Sequence, residues 1–185
     1  IKAIASDFIN SPDHLSAYDF RQPYSTILVG QVQSGKTGHY LGIAAAVADK
    51  EPRFPIFLLL TQNSVSLQQQ TIKEARNLLS SFEIFDETDQ VEFEKSLESS
   101  VAPKMIVLKK NKTPLRKWLR ILNRDLLSGR PIFIIDDEAD STGLNTRVNV
   151  PDQSDINEIL EELIISTSAY FLQVTATPQA IFLQN

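Results

Sequence analysis

The sequence predicts an α/β fold, a parallel sheet of five or more strands with helices on both faces. Three observations lead there. The apolar runs are nearly continuous instead of alternating, as in strands buried on both sides; helix-length segments separate them; and strand and helix alternate along the chain. The strand runs are Ser25–Val29, Phe54–Leu60, Met105–Leu108, Pro131–Ile135 and Ala169–Val174. The intervening helical segments are Lys36–Asp49, Ser64–Phe82, Glu87–Ser99, Pro114–Ser128 and Asp152–Ser166. Start signals precede several of them: Ser64, Thr113 before Pro114, and Ser154 with Asp155. Gly129 is placed to close the fourth helix.

Composition narrows the class. The chain has 185 residues, 42% hydrophobic and 22% charged, which suits one globular domain and excludes disordered, collagen-like and coiled-coil chains. We expect a single domain over 1–185, with residues 1–20 as an N-terminal extension. No Cys is present and the only histidines are His14 and His39, so neither a disulfide framework nor a Cys/His zinc site is available. Apolar stretches such as Ile43–Ala48 and Pro55–Leu60 fall far short of the ~20 residues of a membrane span. A cytoplasmic location without membrane contact is the expectation. The first residue is Ile, and Ile181–Asn185 runs off an apolar segment; we expect a piece of a longer protein.

The net charge of −5 argues against a dedicated nucleic-acid binder, but the charges are segregated. Residues 104–130 hold nine basic side chains against Asp125 alone, a net of +8. Glu83–Glu98 holds seven acids against Lys95. On a helix, Lys112, Arg116, Lys117, Arg120 and Arg124 form one stripe, and Leu115, Leu119, Leu122 and Leu126 another. With Lys109, this stripe reads equally as a contact to a phosphate backbone and as a solvated face paired with the upstream acids. Trp118 reads as core or inter-lobe packing more readily than as a base-stacking platform, and His39 as a helix-surface or packing residue.

Two motifs carry chemistry. Gly30-Gln31-Val32-Gln33-Ser34-Gly35-Lys36-Thr37 follows a strand and opens a helix, the context a phosphate loop needs. Gly30 and Gly35 let backbone N–H groups close around phosphate oxygens, Lys36 reaches the β- and γ-phosphates, and the Thr37 hydroxyl serves Mg²⁺. ATP and Mg²⁺ are the expected ligands. The second motif, Ile132-Phe133-Ile134-Ile135-Asp136-Asp137-Glu138-Ala139-Asp140, delivers acids at a strand's carboxyl end, where α/β sheets bind ligands. Asp137 then holds Mg²⁺ through its water shell, and Glu138 orients and deprotonates the attacking water. A guanine-reading Asn-Lys-x-Asp is absent, since Asn111-Lys112-Thr113-Pro114 lacks the Asp.

With Thr175-Ala176-Thr177-Pro178 as a third element in the same order, the chain resembles the first RecA-like lobe of a superfamily-two helicase or translocase, Asp137–Asp140 spelling D-E-A-D. More narrowly, residues 29–42, 134–146 and 174–180 are similar to the Z-one domain family of endonucleases, helicase-like ATPases associated with bacterial restriction and defence. Gln33-Ser34 and Asn145 are the discriminating details. The resemblance implies a RecA-like P-loop NTPase domain and a DNA-dependent ATPase or translocase. It assigns Lys36 and Glu138 to catalysis, and Asp140, Thr175 and Thr177 to coupling between ATP state and nucleic acid. Gln62 and Asn63, with Thr61, Leu67 and Gln70, match a segment that touches a nucleic-acid backbone. It also implies DNA as partner, a nuclease domain or subunit, and a second RecA-like lobe of the same polypeptide supplying an Arg finger, for which no motif follows Pro178. No Lys has an acid two positions earlier, so a nuclease site belongs elsewhere, and Gln22 reads as a turn residue instead of an adenine contact. The alternative is a nucleotide-gated protein-interaction switch that never moves on nucleic acid.

Overall fold

The structure is a computed structural model that describes residues 24–30, 35–50, 55–123, 131–139 and 151–176. Six strands form one sheet: β1 (Tyr24–Val29), β2 (Ile56–Thr61), β3 (Glu83–Phe85), β4 (Lys104–Lys109), β5 (Ile132–Asp137) and β6 (Tyr170–Thr175). All pair in parallel, in the order β1-β6-β5-β2-β4-β3. Five helices pack on the sheet among the described residues: α1 (Lys36–Lys50), α2 (Val65–Leu78), α3 (Gln90–Ser99), α4 (Lys112–Leu122) and α5 (Pro151–Ser166). The expected α/β class, with the architecture of a RecA-like domain, is what the chain adopts.

Alternation within each strand divides the core in two. Phe57, Leu59, Met105, Val107, Phe133 and Ile135 meet α1 and α2 through Tyr40, Ile43, Val47, Ile72 and Ala75. Their neighbours Ile56, Leu58, Leu60, Ile106, Leu108 and Ile134 meet α3, α4 and α5 through Phe93, Trp118, Leu119 and Leu160. This explains the continuous apolar runs, because both faces of every central strand are covered. Each fully buried large side chain contributes about 1.5–3 kcal/mol. Aromatic contacts join neighbouring elements within each half of the core: the Phe133 and Tyr170 rings of adjacent strands stack at 5.1 Å, and Phe93 of α3 meets Trp118 of α4 edge-on at 5.2 Å.

Several boundaries differ from the sequence reading, each for a local reason. The second helix stops at Leu78, four residues short of Phe82; Leu79 and Phe82 instead turn into the core ahead of β3. Ser80 and Ser81, poor helix formers that favour turns, lie between them. The third begins at Gln90, not Glu87. Asp86 Oδ1 accepts from Thr88 N and Asp89 Oδ2 accepts from Asp86 N, so these carboxylates close a turn that excludes helix. The fourth is capped by Asn111, whose Oδ1 accepts from Thr113 N at 3.1 Å. It ends at Leu122, while Arg124, Leu126, Ser128 and Gly129 lie outside the described residues. The fifth opens on Pro151, which leaves Asp155 inside the helix instead of at its start. Ser64 caps α2 as expected, its Oγ accepting from Leu67 N.

Candidate nucleotide-binding site

The carboxyl ends of β2 and β5, with the amino end of α1, surround a cavity of about 380 Å³. Gly35, Lys36 and Thr37 form one wall, Asp137 and Glu138 another, and Thr61 with Gln62 a third. Helix α2 closes the remaining side with Leu67, Gln70, Thr71 and Glu74. Four residues singled out for phosphate and metal chemistry, Lys36, Thr37, Asp137 and Glu138, therefore share one space although a hundred residues separate the pairs.

Register produces this convergence. β6 lies between β1 and β5, with Val29 opposite Thr175 and Asp137 opposite Val174. The Thr175 carbonyl accepts from Gly30 N at 3.0 Å, so the buried coupling candidate holds the first glycine of the predicted phosphate loop through its backbone. Gly35 has φ 73°, in the left-handed region that glycine enters without a Cβ penalty. His39 Nδ1 donates to the Gly35 carbonyl at 2.9 Å, a structural contact that fixes the start of α1. Gln31, Val32, Gln33, Ser34, Asp140, Asn145, Thr177 and Pro178 lie outside the described residues, as do His14, Gln22 and residues 1–20.

Tyr40 follows Thr37 by three residues on α1 and so projects from the same face. Its hydroxyl donates to Asp137 Oδ2 at 3.1 Å and also bonds the Thr37 side chain. Burial, then the Asp137 charge, pushes the phenol far above its ordinary range, so it stays protonated and remains a donor. Burial is also the largest influence on Asp137, raising its carboxyl above the usual carboxylate range against the lowering effects of Tyr40, Lys36 and Lys110. Thr37 and Asp137 meet on one hydroxyl and are hard oxygen donors, a set that fits Mg²⁺. Among the described residues no group of three His, Cys, Asp or Glu side chains could hold a metal by itself. An ion here would take its other ligands from phosphate and water.

Glu138 has φ 58°, a left-handed conformation that costs a non-glycine residue about 1–2 kcal/mol. Immediately beside it, Lys110 is 2% exposed. Its Nζ lies 2.8 Å from Asp136 Oδ1 and donates to the carbonyls of Asp137 at 2.8 Å and Glu138 at 3.0 Å. Sequence reasoning assigned Tyr40 and Lys110 no role. Helical spacing from Thr37 pointed to the first. The alternation Ile106, Leu108, Lys110 pointed to the second, extending a buried strand face by one step.

The basic segment divides between the two readings that its sequence left even. Lys104 is buried and pairs with Glu83 at 3.5 Å, at the amino end of β4, away from the cavity. Lys109 pairs with Glu87 at 3.1 Å, and Lys112 pairs with Asp155. Arg116, Lys117 and Arg120 are exposed on α4, while Leu115, Leu119 and Leu122 are buried on its other face, as the stripe reading requires. Trp118 is in the core, its Nε1 donating to the Glu87 carbonyl at 3.3 Å. Asn63 Oδ1 accepts from Asn111 Nδ2 at 3.5 Å, joining the loop after β2 to the loop after β4, whereas Gln62 lines the cavity itself.

No family model matches the chain, and no curated protein matches it. No helix among the described residues is long and apolar enough to cross a membrane.

Proposed function

We propose that the chain is the ATP-binding lobe of a helicase-like, DNA-dependent ATPase or translocase, part of a bacterial restriction or defence endonuclease acting in the cytoplasm. The observation that carries this reading is the convergence of Lys36, Thr37, Asp137 and Glu138 on one cavity at the carboxyl ends of parallel strands. Lys36 and the first turn of α1 bind the phosphates. Thr37 and, through water, Asp137 would hold Mg²⁺ beside the phosphates, and the ion would supply charge neutralisation there. Glu138 orients a water whose oxygen attacks the γ-phosphorus; the bond from that phosphorus to the bridging oxygen breaks, ADP leaves, and the water's proton passes to Glu138. A second RecA-like lobe contributes the Arg finger and a separate domain or subunit the nuclease chemistry.

A second reading, a nucleotide-gated switch that binds protein instead of DNA, is favoured by one observation. Lys104, Lys109, Lys110 and Lys112 all pair with acids of the chain itself, which leaves Arg116, Lys117 and Arg120 as the exposed cations of α4. ATP hydrolysis by the intact polypeptide, with and without double-stranded DNA at two salt concentrations, separates the two. Stimulation that weakens with salt supports the motor. Turnover indifferent to DNA supports the switch, and failure of Lys36→Ala to weaken nucleotide binding overturns both.

A further inference from the structure

We propose that Lys110 is a positioning residue for turnover: it holds the backbone of Asp137 and Glu138 in the turn from which the Glu138 carboxylate meets its water. This rests on the reading of Glu138 as the water-activating group. The geometry supporting it is independent of that reading.

Lys110 pairs in charge with Asp136 Oδ1 at 2.8 Å and donates hydrogen bonds to two further oxygens, the Asp137 and Glu138 carbonyls. Burying such an ion carries a penalty of several kcal/mol unless all its donors are satisfied. A counter-charge for Asp136 would need only the first contact. The other two fall on consecutive carbonyls flanking the single described residue of β5's exit with left-handed backbone, Glu138. That conformation is intrinsically disfavoured and persists only where its surroundings over-determine it. Rotation of Glu138 to an ordinary φ would swing these carbonyls away from Nζ and leave a buried ammonium short of partners.

Lys110 is itself fixed. Its N–H donates to the Thr61 carbonyl at 2.9 Å, and its side chain runs from the end of β4 beneath the acidic turn. The cavity edge at Thr61 and the acidic turn are thus braced by one residue. Loss of that brace would displace the Glu138 carboxylate without touching the phosphate-binding wall of Lys36 and Thr37.

The test compares Lys110→Met, Asp136→Asn and the double variant with the parent in the intact polypeptide, reading equilibrium binding of ATP, steady-state kcat and Tm. Lys110→Met is expected to lower kcat by about 10²-fold, the effect of misplacing a reacting group by ~1 Å, with Kd for ATP little changed. The double variant removes the unpaired buried charge, so Tm recovers toward the parent while kcat stays low. Recovery of kcat in the double variant would reduce Lys110 to a counter-charge and overturn the proposal, as would a loss in Lys110→Met confined to Kd. Lys36→Ala is the control: ATP binding unaffected by it would reject the nucleotide reading and this proposal together, whereas the other outcomes reject the role of Lys110 alone.

Discussion

The Tyr40 hydroxyl donates to Asp137 Oδ2 at 3.1 Å, joining the first turns of α1 to the end of β5. Tyr40 is fully buried and Asp137 is not, so the contact tethers a solvent-reachable carboxylate to the core. Hydrogen bonding to the charged form lowers a carboxyl pKa, and this bond opposes the rise that burial causes. Tyr40→Phe should therefore raise the Asp137 pKa further. Mg²⁺-dependent nucleotide binding, measured from pH 4 to 8, should move its midpoint upward; an unmoved midpoint would remove Tyr40 from the proposed metal site.

Asp137 itself carries a sign. Its folded pKa lies above the unfolded value, so the group favours the fold below its unfolded pKa and loses that contribution as pH rises through the folded one. At neutral pH the ionised carboxylate is a net burden on the nucleotide-free protein. Asp137→Asn should raise Tm without ligand and abolish the further rise that Mg²⁺-ATP gives the parent, both readable by thermal melting. A lower Tm in the variant would contradict the assignment.

Glu138 offers a way to separate backbone from side chain. Glu138→Gln should bind ATP and stop turning over. Glu138→Gly and Glu138→Ala should be equally inactive, yet the glycine variant should be the more stable by about 1 kcal/mol in urea unfolding, because φ 58° suits Gly and strains Ala.

The exposed face of α4 makes a quantitative claim on salt. Reversing Arg116 and Arg120 to Glu should weaken DNA binding and reduce the slope of log K against log salt by about 2, one per lost phosphate contact. Lys109→Gln, by contrast, should change neither, since Glu87 already holds that ammonium. Unchanged affinity after the double reversal would favour the protein-gated switch.

Trp118 is the chain's single tryptophan and is 1% exposed. Its fluorescence should be blue-shifted and insensitive to DNA, and Trp118→Ala should cost about 3–5 kcal/mol of stability. Quenching by DNA would restore the stacking role that its packing against Phe93 argues against.

The five longer strands were legible because their neighbours' identity hardly matters: a run such as Phe57–Leu60 has to be covered on both faces wherever it is placed. β3 was not. Glu83-Ile84-Phe85 is too short for a period and lies in an acidic tract, and it becomes a strand by pairing with Lys104–Ile106, about twenty residues on. The site was legible where spacing along one element suffices, as for Lys36 with Thr37 and Asp137 with Glu138. It was illegible where two elements meet. Lys110 looked like one more charge in a basic tract, because only the fold brings Asp136 beside it and takes it out of water. Counting charge along the chain likewise treated Lys104 and Arg116 alike, although one is buried at the far end of the sheet and the other faces solvent.

Asp136 and Asp137 are neighbours in sequence with opposite destinies. One shares the sheet face of Ile132 and Ile134 and is held by Lys110, and the other shares the face of Phe133 and Ile135 and reaches Tyr40. Their division of labour is thus a matter of odd and even. A single-residue insertion within β5 ahead of Asp136 would not weaken the centre by degrees; it would flip the face that each carboxylate takes, presenting the structural acid to the cavity and turning the chemical one to the opposite face, while changing the composition not at all among the acids themselves.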